Sequence, residues 1–188
     1  LLDTPGHVDF SGETERALRV LDCAVLVISA ADGVQGHTAT LWRLLQSYHV
    51  PTFLFINKMD QPGANRRTLM EELKNRLSDG CVDMLSPDRM EQIATCSEEA
   101  LAHYLQDEVV PDTLIAQLTA QRLLFPCFFG SALRLDGIDA LLNALCFMGY
   151  IVIFFYGSDY IQEKVAALGA ANPFMFVILM VGVQGLIE

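Results

Sequence analysis

Asn57-Lys58-Met59-Asp60 follows the apolar run Pro51 to Ile56 and precedes a polar turn at Gln61-Pro62-Gly63. An amide, an ammonium and a carboxylate at fixed offsets from a strand end place a planar recognition group at the carboxyl edge of an α/β sheet, where such sheets bind ligands. The chemistry fits guanine. The Asp60 carboxylate can accept two hydrogen bonds, from the ring N1–H and the exocyclic amine. Asn57 supplies an amide for the far edge of the ring, and the stem of Lys58 can lie along its plane. Adenine lacks that donor pair, so a carboxylate here selects against it. N-K-x-D falls by chance in roughly one chain in fifty of this length at average residue usage, so the reading needs support from elsewhere.

Two further segments give that support. Asp3-Thr4-Pro5-Gly6-His7 follows Leu1-Leu2, which read as the last residues of a strand. Gly130-Ser131-Ala132-Leu133 follows the apolar run Leu123 to Phe129 and is a strand end whose small residues let backbone N–H groups approach a base carbonyl. With three strand-end motifs in this order, the chain resembles the GTP-binding domain of translational GTPases, the elongation factor G group. Thr40 to Leu45, Phe55 to Gln61 and Leu124 to Leu133 look most like the tetracycline-resistance ribosomal protection proteins. The resemblance runs from Leu1 to about Cys146.

The resemblance implies an α/β fold, a partial P-loop GTPase domain with a mostly parallel sheet flanked by helices. It implies GTP or GDP with magnesium as ligands, and the ribosome as partner of the intact parent. It assigns Asn57, Lys58, Asp60, Ser131 and Ala132 to the guanine, and Asp3, Gly6 and His7 to the phosphate end. Asp3 would hold magnesium through water and the Gly6 N–H would meet the terminal phosphate, which suits a carboxylate beside a glycine at a strand end. His7 would orient the attacking water, because phosphoryl transfer asks for positioning more than for covalent chemistry. His37, His49 and His103 have no such context and read as surface or partly packed residues.

The elements that must position these groups follow from pattern. A helix from about Gly12 to Val20 is predicted, with Ser11 placed to cap it. Ala24 to Ser29 is a continuous apolar run rich in β-branched residues, predicting a parallel strand buried on both faces. Leu41, Trp42, Leu44, Leu45 and Tyr48 form one helical stripe, which makes Trp42 a core residue. Thr52 to Ile56 is the next strand. Arg66 to Leu77 is a helix with Leu69, Met70, Leu73 and Leu77 inward and Glu71, Glu72, Lys74 and Arg76 outward. Residues 81–121 read as a polar, helix-prone insertion, broken by Pro87 and Pro111, in which Glu98, Glu99, Asp107 and Glu108 form a solvated face. Strand Leu123 to Phe129 and helix Gly137 to about Cys146 complete a first domain over residues 1–146.

Composition sets limits. The 188 residues hold 12 basic and 23 acidic side chains, a formal net charge of -11. Such a chain is no general nucleic-acid clamp, because phosphates demand a positive face, and DNA is excluded as a partner. Cys23, Cys81, Cys96, Cys127 and Cys146 are an odd set without C-x-x-C spacing, pointing to reduced thiols and a cytoplasmic setting.

The sequence also departs from the family. It contains no G-x-x-x-x-G-K-[ST] motif, the loop that cradles the α- and β-phosphates. The expectation is therefore a fragment that lacks the first strand and the phosphate loop, with GTP hydrolysis confined to an intact parent. Beyond the recognisable part, residues 147–188 form an apolar tail: Ala140 to Ser158 has no charge over nineteen residues and Val165 to Ile187 none over twenty-three. Both reach the length of a bilayer span. An unrelated joined sequence, a membrane-inserting hairpin through residues 140–187, and strands filling the missing sheet position all stay open. Two readings compete with the GTPase fragment: a membrane-tethered, non-catalytic guanine-nucleotide or interaction module, and a decayed product that does not fold.

Overall fold

The computed structural model describes residues 21–147 and 149. The strand at Leu1-Leu2, the helix Gly12 to Val20 and nearly all of the apolar tail lie outside the described residues. The chain divides into two compact units, Leu1–Leu141 and Leu142–Glu188. In the second, residues 142–147 and 149 are helical.

In the first unit, four parallel strands form one sheet in the order β1-β2-β4-β3. They are β1 Ala24–Ser29, β2 Thr52–Asn57, β3 Cys81–Asp83 and β4 Phe125–Phe129. The helices are α1 Gly36–Ser47, α2 Arg66–Arg76, α3 Arg89–Ala94, α4 Glu98–Asp107 and α5 Asp112–Ala120. The α/β architecture with a parallel sheet is thus the expected one. Thr52 to Ile56 of β2 are all buried, as is every residue of β4, because these strands lie in the middle of the sheet with helices over both faces. Pro126 sits inside β4 at no cost to the ladder. Phe125 and Cys127 bond toward β3, so the N of Pro126 points toward β2, whose pairing starts only at Leu54↔Cys127.

β1 differs from its expected double burial. Leu26 and Ile28 are in the core while Val27 is 58% exposed, an alternation that belongs to a strand covered on one face. The run of β-branched residues fits either case, and only the packing separates them. The segment 81–121 also differs from its reading. Its first three residues form the edge strand β3, too short to carry a periodic signal. Val82 then joins Ile93, Ala100, Val110, Leu114, Leu118 and Leu124 in a core beneath α3, α4 and α5. The apolar positions of this helix-prone stretch are the buried faces of three short helices. As expected, Glu98, Glu99, Asp107 and Glu108 face solvent.

The opposite face packs Leu26, Ile28, Trp42, Leu54, Ile56, Leu69, Leu73, Cys127 and Phe129 together. Trp42 is 6% exposed and meets Phe125 edge-on with centroids 4.6 Å apart. Arg122 closes that end of the sheet. Its guanidinium lies 5.2 Å from the Trp42 ring and 5.1 Å from that of Phe125, and it donates to Thr52 Oγ1 at 2.9 Å and to the Val50 carbonyl.

At the other end of the sheet, Arg66 in the first turn of α2 makes a two-pronged ion pair with Asp83 of β3. The Arg66 guanidinium lies 4.8 Å over the Phe129 ring, and Asp83 also accepts from the Leu85 N–H at 3.1 Å. Asn65 caps α2 by accepting from the N–H groups of Arg67 and Thr68. Glu72, expected to point outward, instead accepts from the Val34 N–H at 3.1 Å and from Arg76 Nη1 at 3.0 Å. The loop between β1 and α1 is pinned to α2 in this way. It carries a glycine, Gly33, at φ +64, where an added Cβ would lie 2.4 Å from the Glu72 carboxylate.

Candidate functional site

β2 and β4 are adjacent parallel strands, so their carboxyl ends emerge side by side and bring Asn57-Lys58-Met59-Asp60 against Gly130-Ser131-Ala132. Backbone bonds lock the two ends: Gly130 N–H donates to the Ile56 carbonyl and Met59 N–H to the Gly130 carbonyl, both at 3.0 Å. Asn57 Oδ1 then accepts from the Lys58 N–H and the Ala132 N–H, both at 2.8 Å. Two N–H donors on one atom fix the amide orientation, leaving the Nδ2 donors for a ligand. Lys58 is exposed and adopts φ +65, the left-handed region in which the chain turns out of the strand.

Asp60 is tied across the same edge. A hydrogen bond from the Ser131 hydroxyl is the main cause that holds its carboxyl below the usual carboxylate range, with a bond to its own backbone and the charge of Arg134 acting in the same direction. Arg134 Nε stands 3.5 Å from Asp60 Oδ2. The carboxylate is therefore ionised at neutral pH, the form that accepts two hydrogen bonds.

After β4 the chain makes a compact turn. Ser131 and Asp136 exchange backbone hydrogen bonds at 3.0 Å in both directions around a 3₁₀ turn at Ala132–Arg134, with Leu135 in the left-handed region. The Ser131 and Ala132 N–H groups, read from sequence as donors to a base carbonyl, thus already have partners in Asp136 and Asn57. A base carbonyl at this edge would share the Ala132 N–H with the Asn57 amide. Two glycines make the turn possible. A Cβ on Gly130 would lie 2.0 Å from the Asp136 carbonyl oxygen, and one on Gly137, at φ +74, 2.5 Å from that of Phe129. Backbone stands in the way in both cases, and it cannot swing aside as a side chain can. Gly130→Ala is expected to lower stability by about 2 kcal/mol, read as a shift in the urea midpoint, and to weaken base binding with it.

Asp3, Gly6 and His7 lie outside the described residues. Among those described, no group of three or more His, Cys, Asp or Glu side chains could hold a metal ion. No described helix is long and apolar enough to cross a membrane. Cys127 is fully buried, and burial pushes its thiol well above the ordinary range, so it is no nucleophile. Sequence reasoning overlooked Arg134, Asp136 and Gly137. The spacing from Gly130 to Gly137, two glycines bracketing a short turn, is the signal that could have pointed to them.

Residues 1–148 match the Elongation factor Tu GTP binding domain. The chain is 37% identical over 174 residues to an oxytetracycline resistance protein of Streptomyces rimosus. It is 35% identical over 163 residues to the tetracycline resistance protein TetW of Butyrivibrio fibrisolvens. Each alignment covers 77% of this chain and 26% of the relative, so the chain spans about a quarter of the length of these proteins. A crystal structure of a protein from Thermus thermophilus shares the fold, with a TM-score of 0.63 at 23% identity over 76% of this chain and 29% of the other. A parallel sheet whose neighbouring strand ends carry N-K-M-D and G-S-A-L agrees with the profile match over most of the chain, and the chain belongs to the elongation factor Tu GTP-binding domain family.

Proposed function

We infer that the edge formed by Asn57, Lys58, Asp60, Ser131 and Ala132 holds a guanine base, in a translational GTPase of the elongation-factor or tetracycline-resistance kind that works on the ribosome in the cytoplasm. The observation that carries this reading is the Asn57 Oδ1 to Ala132 N–H bond of 2.8 Å, which joins the two strand-end segments beside an ionised Asp60. Asp60 takes the N1–H and amine of guanine, Asn57 offers its amide to the far edge, and the Lys58 stem covers the ring. Asn57 thus has two tasks, holding the 131–136 turn and touching the base. The resistance kind is favoured by the 37% and 35% identity to two tetracycline-resistance proteins.

At the phosphate end, Asp3 would hold magnesium through water, Gly6 would meet the terminal phosphate and His7 would orient the attacking water. Bound magnesium would neutralise phosphate charge during hydrolysis. These 188 residues contain no phosphate-loop motif. Hydrolysis therefore belongs to a chain that also supplies that loop.

Fluorescent GTP, GDP and ATP analogues titrated against the 188-residue chain test the reading. Weak binding, insensitive to magnesium and stronger for guanine than adenine, is expected. Equal affinity for the two purines would sink the base assignment. Tight, magnesium-dependent binding with turnover would sink the separation of base reading from hydrolysis.

A further inference from the structure

We propose that Arg134 is a displaceable internal ligand of Asp60, which holds the empty base edge closed and which guanine must push aside. The inference rests on the guanine reading of that edge and adds a control on it. Arg134 Nε stands 3.5 Å from Asp60 Oδ2, with the Arg134 side chain 68% exposed and that of Asp60 20%. An arginine presents to a carboxylate what guanine presents. Both carry N–H donors side by side on one planar carbon, the Nε–H and an Nη–H of the guanidinium matching the N1–H and amine of the base. The guanidinium therefore answers the Asp60 oxygens as the base would, and two such donor groups crowd one another at a single carboxylate.

The contact is one that can be given up. At 3.5 Å it is an ion pair longer than a hydrogen bond. The backbone beneath it is held, since Ser131 and Asp136 exchange bonds at 3.0 Å and the Arg134 N–H donates to the Ser131 carbonyl at 3.1 Å. On either side, Leu133 is 90% and Leu135 73% exposed, so the guanidinium can swing out over a bare turn without disturbing it. The Ser131 hydroxyl stays on the carboxylate in either state. An exposed ion pair is worth little, so the closed form outweighs the open one only modestly. With the carboxylate free in roughly one molecule in three, apparent guanine affinity falls about threefold.

The test uses the 188-residue chain and the N-methylanthraniloyl ester of guanosine, a fluorescent nucleoside without phosphate, beside its adenosine counterpart. Arg134→Gln removes the charge at an exposed position and keeps the thermal midpoint of the parent. It is expected to bind the guanosine probe about threefold more tightly. Arg43→Gln takes the same charge from an exposed position of α1 and should bind as the parent does. Raising KCl from about 0.05 to about 1 M screens the ion pair, so the parent's affinity should climb toward that of Arg134→Gln, whose own affinity stays level. Unchanged or weaker binding by Arg134→Gln, with guanosine still preferred over adenosine, overturns the proposal and leaves the base reading standing. So does a gain that Arg43→Gln shares, or a salt response common to the parent and Arg134→Gln. Equal binding of the two probes, or none, by parent and variant alike sinks the base reading and the proposal together.

Discussion

Asp60→Asn is expected to lower affinity for guanine nucleotides on the order of a hundredfold and to move the preference toward xanthine. In the proposed pose the carboxylate accepts from both the N1–H and the exocyclic amine of guanine, whereas an asparagine amide offers one acceptor and one donor. Its NH₂ group then faces the amine of guanine, donor against donor. Xanthine carries a carbonyl in place of that amine and restores the match. The readout is the ratio of guanosine to xanthosine diphosphate dissociation constants in competition with a fluorescent analogue. An unchanged ratio would remove Asp60 from the base. Ser131→Ala is the partner experiment, since it takes away the hydroxyl that orients the carboxylate without touching the base directly.

The same contacts set the pH response. The Asp60 carboxyl is depressed, chiefly by the Ser131 hydroxyl and in part by Arg134. A depressed acid keeps its folded-state interactions above its ordinary range and loses them as pH falls through the lowered value. Guanine binding is therefore expected to persist as pH drops through the normal carboxylate range and to fail only beneath it. In Ser131→Ala the failure should move to higher pH. Titration of base binding in parent and variant checks the direction.

Arg66→Ala is the substitution expected to cost most stability, about 3 kcal/mol, measured as a fall in the urea midpoint. Asp83 is 6% exposed on the edge strand β3, and its carboxylate faces a guanidinium that covers the Phe129 ring. Removing the arginine leaves a buried charge with only the Leu85 N–H to bond it. The effect comes from the orphaned carboxylate rather than from the worth of the pair, so the double variant Arg66→Met/Asp83→Leu should recover most of the loss. Equal instability of single and double variants would show that the pair holds β3 in some other way. Because Phe129 ends the strand that leads into Gly130, loosening this corner also reaches the candidate base edge.

Much of the site was legible because its chemistry is local. N-K-M-D and G-S-A-L each follow an apolar run, and any parallel sheet puts the ends of such runs on one edge. That Trp42 is core, that α1 and α2 run where they do, and that the acids of α4 face water all follow from period and composition. The partnerships between those segments could not be read this way. Asn57 and Ala132 are 75 positions apart in sequence, and nothing in either segment says that the amide oxygen will take the Ala132 N–H. Arg66 read only as the start of a helix and Asp83 as a residue of an insertion, and they pair only because β3 docks beside β4.

Residue type and spacing along one segment are thus enough to place a candidate recognition motif at a strand end and to tell which helix face is apolar, since both depend on neighbours within a few residues. Strand order, the one-sided burial of β1 and the recruitment of Cys81–Asp83 to the sheet edge depend on which surfaces meet across long stretches of chain. Those were decided by packing: a three-residue strand has too little pattern to announce itself, and it becomes a strand because β4 leaves an edge for it to join.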